Sequence, residues 1–85
     1  DFMQVRNDLL AIPSVVQVND LHIWQTGADQ TLLSAHLKSG EAFPDHESIL
    51  QAAQKMLIET YKINHATLQI LPASAGEMIN CSHCN

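Results

Sequence analysis

The sequence has few positive charges. Of its 85 residues, four are Lys or Arg and nine are Asp or Glu, which gives a net charge of −5. The four cations, Arg6, Lys38, Lys55 and Lys62, are scattered singly along the chain. A nucleic-acid-binding protein needs a clustered basic surface. The composition therefore excludes nucleic acid as an expected partner.

Long apolar runs are also missing. No stretch approaches the ~18 to 20 consecutive apolar residues that a membrane helix requires, and the opening residues show no signal-peptide pattern. We therefore expect this chain by itself to be soluble. It begins with Asp1 rather than Met, and we interpret it as one domain excised from a longer protein.

Cysteine occurs only twice, as Cys81 and Cys84 near the end of the chain. A single Cys-x-x-Cys is more typical of a metal or redox pair than of a secreted disulfide framework, which favours a reducing compartment. A chain this short buries only about 60 to 65% of its unfolded surface. Stabilisation by a metal or by a partner subunit is therefore plausible.

The segment from Val15 to Lys38 has the pattern of a β-hairpin. β-branched and apolar residues flank turn residues around Gly27 to Asp29. A turn at this position predicts that His22 faces His36. It also predicts two further facing pairs, Asp20 with Lys38 and Leu21 with Leu37.

Side chains alternate along each predicted strand, which divides the hairpin into two faces. His22, Trp24, Ser34 and His36 fall on a polar face, and the aliphatic residues fall on the opposite face. Two facing imidazoles can chelate a metal, although a lone strand histidine is more often a surface residue. A slip in register would leave both histidines on the same face.

The rest of the chain adds two helices and a third strand. An apolar stripe predicts a helix over residues 1–11, a second stripe predicts a helix over about 44–61, and residues 65–71 alternate as a strand. A strand-helix-strand crossover favours parallel pairing with the second hairpin strand. The expected fold is α+β: an αββαβ two-layer sandwich over residues 1–71, with a three-stranded mixed sheet, both helices on one face, and a tail over 72–85. His65 is expected on the open sheet face with His22 and His36.

Several short motifs, in this order, carry a family resemblance. They are Pro13 to Val15, the Asp-Leu-His-Ile-Trp of Asp20 to Trp24, the Ser-Ala-His of Ser34 to His36, and the strand that begins at His65. In these motifs the chain resembles the C-terminal cytoplasmic domain of cation diffusion facilitator transporters. The resemblance implies a metallochaperone-like (ferredoxin-like) fold and a V-shaped homodimer. It also implies a location at the cytoplasmic face of a membrane, reached only through a transmembrane domain absent from this chain.

The resemblance also implies a set of metal ligands. Family members often bind regulatory metal through the histidines that correspond to His36 and His46, and in some branches through the one that corresponds to His22. Leu71 stands where family sequences commonly have an acidic residue, so that carboxylate is missing, and His65 would have to substitute for it. The tail supplies a further donor group: Cys81, His83 and Cys84.

Zinc usually takes four ligands, so two hairpin histidines need further donors from His65, from the tail or from a partner subunit. A spectator tail, or a redox pair of cysteines, remains an alternative to a metal role for the tail. The expected cation is Zn²⁺, with Cd²⁺, Co²⁺, Ni²⁺ and Mn²⁺ as alternatives that the sequence does not separate.

The expected function follows from the resemblance and the donor set. We expect a regulatory, dimerising, metal-sensing cytoplasmic domain of a divalent cation efflux transporter. The alternative is a free-standing, metallochaperone-like carrier that passes metal through Cys81 and Cys84. An enzyme is not expected, because no nucleophile with an assigned base is present.

Overall fold

The structure is a computed structural model that describes residues 1–27 and 29–73. In chain order the elements are α1 (Phe2–Leu10), β1 (Val15–Gln25), β2 (Thr31–Ser39), α2 (His46–Tyr61) and β3 (His65–Leu71). β1 pairs antiparallel with β2, and β2 pairs parallel with β3, in the sheet order β1-β2-β3. The predicted αββαβ order, the mixed sheet and the bounds of β3 are confirmed.

Both helices begin at an aspartate cap. The Asp1 side chain accepts a hydrogen bond from the backbone N–H of Met3. Asp45 accepts two hydrogen bonds from Ser48, from its N–H at 3.2 Å and from its hydroxyl at 2.9 Å, and these lower the pKa of Asp45. The second helix was predicted from residue 44, but it begins at His46 because Asp45 serves as its N-cap rather than as part of its first turn.

The helices and the sheet share one hydrophobic core. It contains Val5, Leu9, Ile12, Val15, Val18, Leu33, Ala35, Leu37, Ile49, Ala53, Leu57 and Ile63, and the partly buried Ala66, Leu68 and Ile70 of β3 pack against it. Val5 and Leu9 lie one helical turn apart on α1, and Ile49, Ala53 and Leu57 repeat that spacing on α2. The opposite, open face of the sheet carries most of the polar strand residues.

The predicted hairpin register is wrong. His22 pairs with Ser34 rather than with His36, and His36 pairs with Asn19. Gln17 lies opposite Lys38, and Val18 lies opposite Leu37. One cause is the pairing at the loop: Gln25 pairs with Thr31, so facing positions from the loop to His22 sum to 56 rather than the predicted 58, and each residue of β1 there faces a partner two residues earlier on β2.

The second cause is a β-bulge at Asp20 and Leu21, where the pairing shifts between Asn19 and His22. Asp20 has a positive φ of 54°. This left-handed conformation is tolerated by aspartate better than by most residues. The bulge adds one residue to β1 relative to β2 and redirects the Asp20 side chain.

Ser39, at the end of β2, ties the strand to the segment before β1. Its side chain is fully buried, and its hydroxyl oxygen lies 2.6 Å from that of Ser14 and accepts the N–H of Glu41 at 3.0 Å. The carbonyl of Ser14, a residue with φ of 80°, accepts the N–H of Gly40 at 2.9 Å. The buried Ser39 hydroxyl thus forms hydrogen bonds both with the segment before β1 and with the loop after β2.

Replacing Ser39 with alanine is expected to lower the free energy of unfolding by about 1 to 3 kcal/mol, because two partly buried hydrogen bonds are lost. Urea denaturation followed by circular dichroism measures this change. Ser34→Ala, a partly exposed serine on the same strand, serves as the control and is expected to cost less than about 0.5 kcal/mol. Equal costs for the two variants would contradict the structural role of Ser39.

Candidate metal centre

The open face of the sheet is arranged in four rows across β1, β2 and β3. The pairings define them, in order from the hairpin loop, as Trp24–Leu32–His65, His22–Ser34–Thr67, Asn19–His36–Gln69 and Gln17–Lys38–Leu71. Three of the predicted metal ligands, His22, His36 and His65, therefore share this face, as expected. They occupy three different rows.

His22 and His36 lie diagonally across β1 and β2. His22 pairs with Ser34, and His36 is two residues further along the same strand. Diagonal neighbours have Cβ atoms roughly 7 to 8 Å apart, a separation that long or aromatic side chains still span. The two imidazoles can therefore be directed at one ion, although not in the directly facing geometry that the sequence predicts.

Asp20 and His36 form the closest polar contact on this face. Oδ2 of Asp20 lies 3.0 Å from Nδ1 of His36, and the two side chains are 13% and 27% exposed. The predicted pairing of Asp20 with Lys38 is therefore wrong, because the bulge turns this carboxylate toward the imidazole. Nδ1 of His36 is buried and makes no in-line hydrogen bond within the described residues. The carboxylate thus approaches at ion-pair distance without ideal hydrogen-bond alignment.

This contact has the chemistry of a support for a metal ligand. A histidine that ligates a metal through one ring nitrogen commonly directs its other nitrogen at a carboxylate, which fixes the tautomer and the orientation of the ring. With Nδ1 beside Asp20, Nε2 of His36 is the nitrogen available to an ion. The side chains of Asn19 and Gln69 flank His36 in its row. The sequence did not identify Asn19 as a neighbour of His36, because the predicted register placed His22 at that position.

His65 is too far from His36 to share its ion. It pairs with Leu32, four residues before His36 on β2. Four strand residues span about 13 Å. His65 instead borders a polar cleft of about 400 Å³ that it shares with residues of the hairpin loop, including Asp29.

His46 lies beyond the β3 end of the row that contains His36. It is the exposed first residue of α2 and lines a groove together with Gln69, the residue that pairs with His36. Gln69 thus separates the two histidines. Leu71, which replaces the acidic residue of the family pattern, is 6% exposed and offers no donor.

Within residues 1–27 and 29–73, no three His, Cys, Asp or Glu side chains gather around a common point that could hold a metal ion. The three predicted tail ligands, Cys81, His83 and Cys84, lie outside the described residues. A four-ligand zinc site centred on His36 therefore needs donors from the tail or from a second subunit. Among the described residues, His22 and His36 would supply part of such a site.

Replacing Asp20 with asparagine is expected to weaken zinc binding by about 10- to 100-fold, because the carboxylate that orients His36 is lost. Competition with a chromophoric chelator measures this affinity. Glu59→Gln, which replaces an exposed carboxylate of α2, is the matched control and is expected to leave the affinity unchanged. If the two variants bind zinc equally well, the Asp20–His36 contact has no role in metal binding.

The fold and the open sheet face define the class of this protein, which is a metallochaperone-like αββαβ domain. The family model for "Cation efflux protein, cytoplasmic domain" matches residues 1–73, and the chain belongs to this family. In structure it is similar to the metal-bound C-terminal domain of the CzcD transporter from Cupriavidus metallidurans. The TM-score is 0.75 with 30% identity, and the match covers 82% of this chain and 96% of that one.

The sequence relatives are named as transporters, and this chain matches only a part of each of them. A probable zinc transporter protein of Dictyostelium discoideum is 44% identical over 70 residues, which are 82% of this chain and 13% of the relative. The probable proton-coupled zinc antiporter SLC30A3 of Rattus norvegicus is 33% identical over 84 residues, 99% of this chain and 21% of the relative. The chain therefore spans about a fifth or less of these two proteins. No helix among the described residues is long and apolar enough to cross a membrane. These matches favour a transporter domain over a free-standing metal carrier.

Proposed function

We propose that this chain is the regulatory, metal-sensing and dimerising domain of a divalent cation efflux transporter, and that the cation is zinc. The observation that carries the metal role is the Asp20–His36 contact on the open sheet face, at 3.0 Å. The relatives named as zinc transporters and the metal-bound CzcD domain support the choice of ligand.

In this proposal His36 and His22 hold one ion between them, and Asp20 fixes the ring of His36. The remaining donors come from a second copy of the domain or from Cys81, His83 and Cys84. Thiolate and imidazole donors favour zinc or cadmium, and imidazole alone also accepts nickel and other transition metals. His65 is too distant to join this ion, so it would belong to a separate site.

The short name of the family, ZT_dimer, refers to dimerisation. An ion that takes ligands from two copies binds only the arrangement in which both sets of donors meet. Zinc at about 100 times its dissociation constant would stabilise that arrangement by about 2.7 kcal/mol. We propose that this linkage transmits cytosolic zinc to the membrane-embedded part of the transporter.

The relatives are transporters rather than enzymes, and we propose no catalytic role for the domain. Its place is the cytoplasmic face of the membrane that holds the rest of the transporter. The histidines therefore act as ligands in this proposal.

Native mass spectrometry during a zinc titration tests the proposal, because it counts ions separately in monomers and dimers. We expect at least one zinc ion per subunit in the dimer and fewer ions in the monomer. A chain that ends at Ala73 shows how many of these ions depend on the tail. If no zinc binds above background, the sensor role fails and dimerisation alone remains.

A further inference from the structure

An open groove runs between the first two turns of α2 and the second half of β3. Its volume is about 590 Å³. Three partly buried side chains form its apolar wall, and three polar residues form its rim. The wall consists of Leu50, Leu68 and Ile70, and the rim consists of His46, Glu47 and Gln69. The described residues therefore leave part of the hydrophobic surface of the domain uncovered at this groove.

The loop that leads to α2 carries a large apolar side chain that its own domain does not bury. Phe43 is 95% exposed, more than any other large hydrophobic residue in the described ranges. Single exposed apolar residues are ordinary on protein surfaces. Phe43, however, lies three residues before His46, so its Cα atom is within about 11 Å of the groove rim. An exposed aromatic side chain and an open apolar groove thus lie side by side.

The backbone on both sides of Phe43 is held in place. Before it, the carbonyl of Glu41 accepts the N–H of Ala73 at 3.0 Å. After it, Pro44 has a fixed φ and restricts Phe43 to extended conformations. Asp45 is then fixed as the N-cap of α2 by its hydrogen bonds with Ser48. The loop is therefore ordered before any partner binds, which lowers the entropic cost of using Phe43 as an anchor.

We propose that Phe43 enters the groove of a second copy of this chain and packs against its apolar wall, while the Phe43 of that copy enters the groove of the first. A two-fold axis between an anchor and a neighbouring groove places each anchor in the groove of the other copy, and the assembly closes at two chains. This proposal rests on the dimerising role proposed above and does not depend on bound metal.

The area of the two contacts fits a weak dimer. Burial of one phenylalanine removes roughly 150 to 250 Å² from water. The groove surface that it covers adds a comparable area, so the two contacts together bury about 600 to 1,000 Å². Specific interfaces begin at about 1,000 Å². The exchange therefore supplies most of the area of a small interface, which a shared ion would tighten.

The contact is also continuous with the candidate metal centre. Gln69 belongs to the rim of the groove and pairs with His36 across the sheet. A second copy that inserts Phe43 into the groove would place its loop beside the row that contains His36. The exchange thus brings the two copies together where the metal centre needs further donors.

Sedimentation equilibrium of the reduced, zinc-free 85-residue chain tests the role of the anchor. Phe43→Ser is expected to raise the dimer dissociation constant at least about tenfold, because an aromatic anchor is lost from its pocket. Phe2→Ser is the matched control, because Phe2 is a second exposed phenylalanine, at the start of α1. It should leave the dissociation constant unchanged. Equal dissociation constants for the two variants would overturn the exchange.

A mixing experiment tests whether the contact is reciprocal. Leu50→Glu places a charge in the groove and is expected to weaken its own dimer as Phe43→Ser does. A mixed pair of these two variants keeps one complete contact, in which the Phe43 of the Leu50→Glu chain enters the intact groove of the other. The mixture should therefore dimerise at least about threefold more tightly than either variant alone. A misfolded chain would give no such gain, and the absence of a gain would overturn the exchange.

Isotope-filtered NMR on a mixture of labelled and unlabelled chains locates the contact. We expect NOEs from the Phe43 ring of one chain to the methyl groups of Leu50, Leu68 and Ile70 of the other. A dimer without these NOEs, or with NOEs that place residues 74–85 in the groove, would overturn the exchange and leave the dimerising role intact. A chain that stays monomeric at millimolar concentration, with and without zinc, would overturn both.

Discussion

Replacing His36 with alanine is expected to lower the affinity of the open-face site for zinc by at least about 100-fold, because it removes the proposed central ligand. His36 is the histidine that lies beside a carboxylate, with Asp20 Oδ2 3.0 Å from its Nδ1. Isothermal titration with zinc, on the 85-residue chain with its cysteines reduced, measures this affinity.

Thr67→Ala is the matched control for this experiment. Thr67 is exposed on the same sheet face and pairs with Ser34, but it is not a proposed ligand. Its replacement should leave zinc binding unchanged. If His36→Ala and Thr67→Ala bind zinc with the same affinity, the site is not centred on His36.

Replacing Leu37 with alanine is expected to lower the free energy of unfolding by about 3 kcal/mol, within the range measured for buried leucines. Leu37 lies on the central strand and is fully buried in the shared core. A domain of this length has a total stability of roughly 4 to 13 kcal/mol. The variant is therefore expected to unfold at a lower temperature and at a lower urea concentration than the unsubstituted chain. Urea or thermal denaturation measures this change.

Ile58→Ala, at a side chain that is 45% exposed on α2, is the control and should cost less than about 1 kcal/mol. The same variant can also be measured with zinc bound. Binding to the folded state at 100 times the dissociation constant should restore about 2.7 kcal/mol to Leu37→Ala. A cost for Leu37→Ala as small as that of Ile58→Ala would contradict the position of the core.

The sequence allowed the element order, the mixed sheet and the shared face of the histidines to be predicted, because these depend on local periodicity. Alternation along a strand places His22 on one face whatever its partner. The pairing of His22 with Ser34, in contrast, depends on the length of the hairpin loop and on the bulge at Asp20. The one available signal was the Asn19-Asp20 pair, two residue types depleted in strands, in the middle of β1.

The same bulge explains why the candidate site could be predicted only in part. The sequence predicts that Asp20 faces Lys38, whereas its contact with His36 arises from a positive φ that no periodicity reveals. The groove beside β3 is non-local as well, because it depends on how α2 packs against the edge of the sheet. His46 and His36 are separated by Gln69, a relation that appears only when the helix and the sheet are placed together.

The dimer dissociation constant of the domain, measured by sedimentation with and without zinc, tests the central claim most directly. We predict that zinc at saturation tightens the dimer at least about tenfold, as expected for an ion that takes ligands from a preferred arrangement of two subunits. The same experiment on His36→Ala should show no tightening. Zinc that binds tightly while the dimer dissociation constant stays the same would contradict the proposal that this domain senses metal through its dimer.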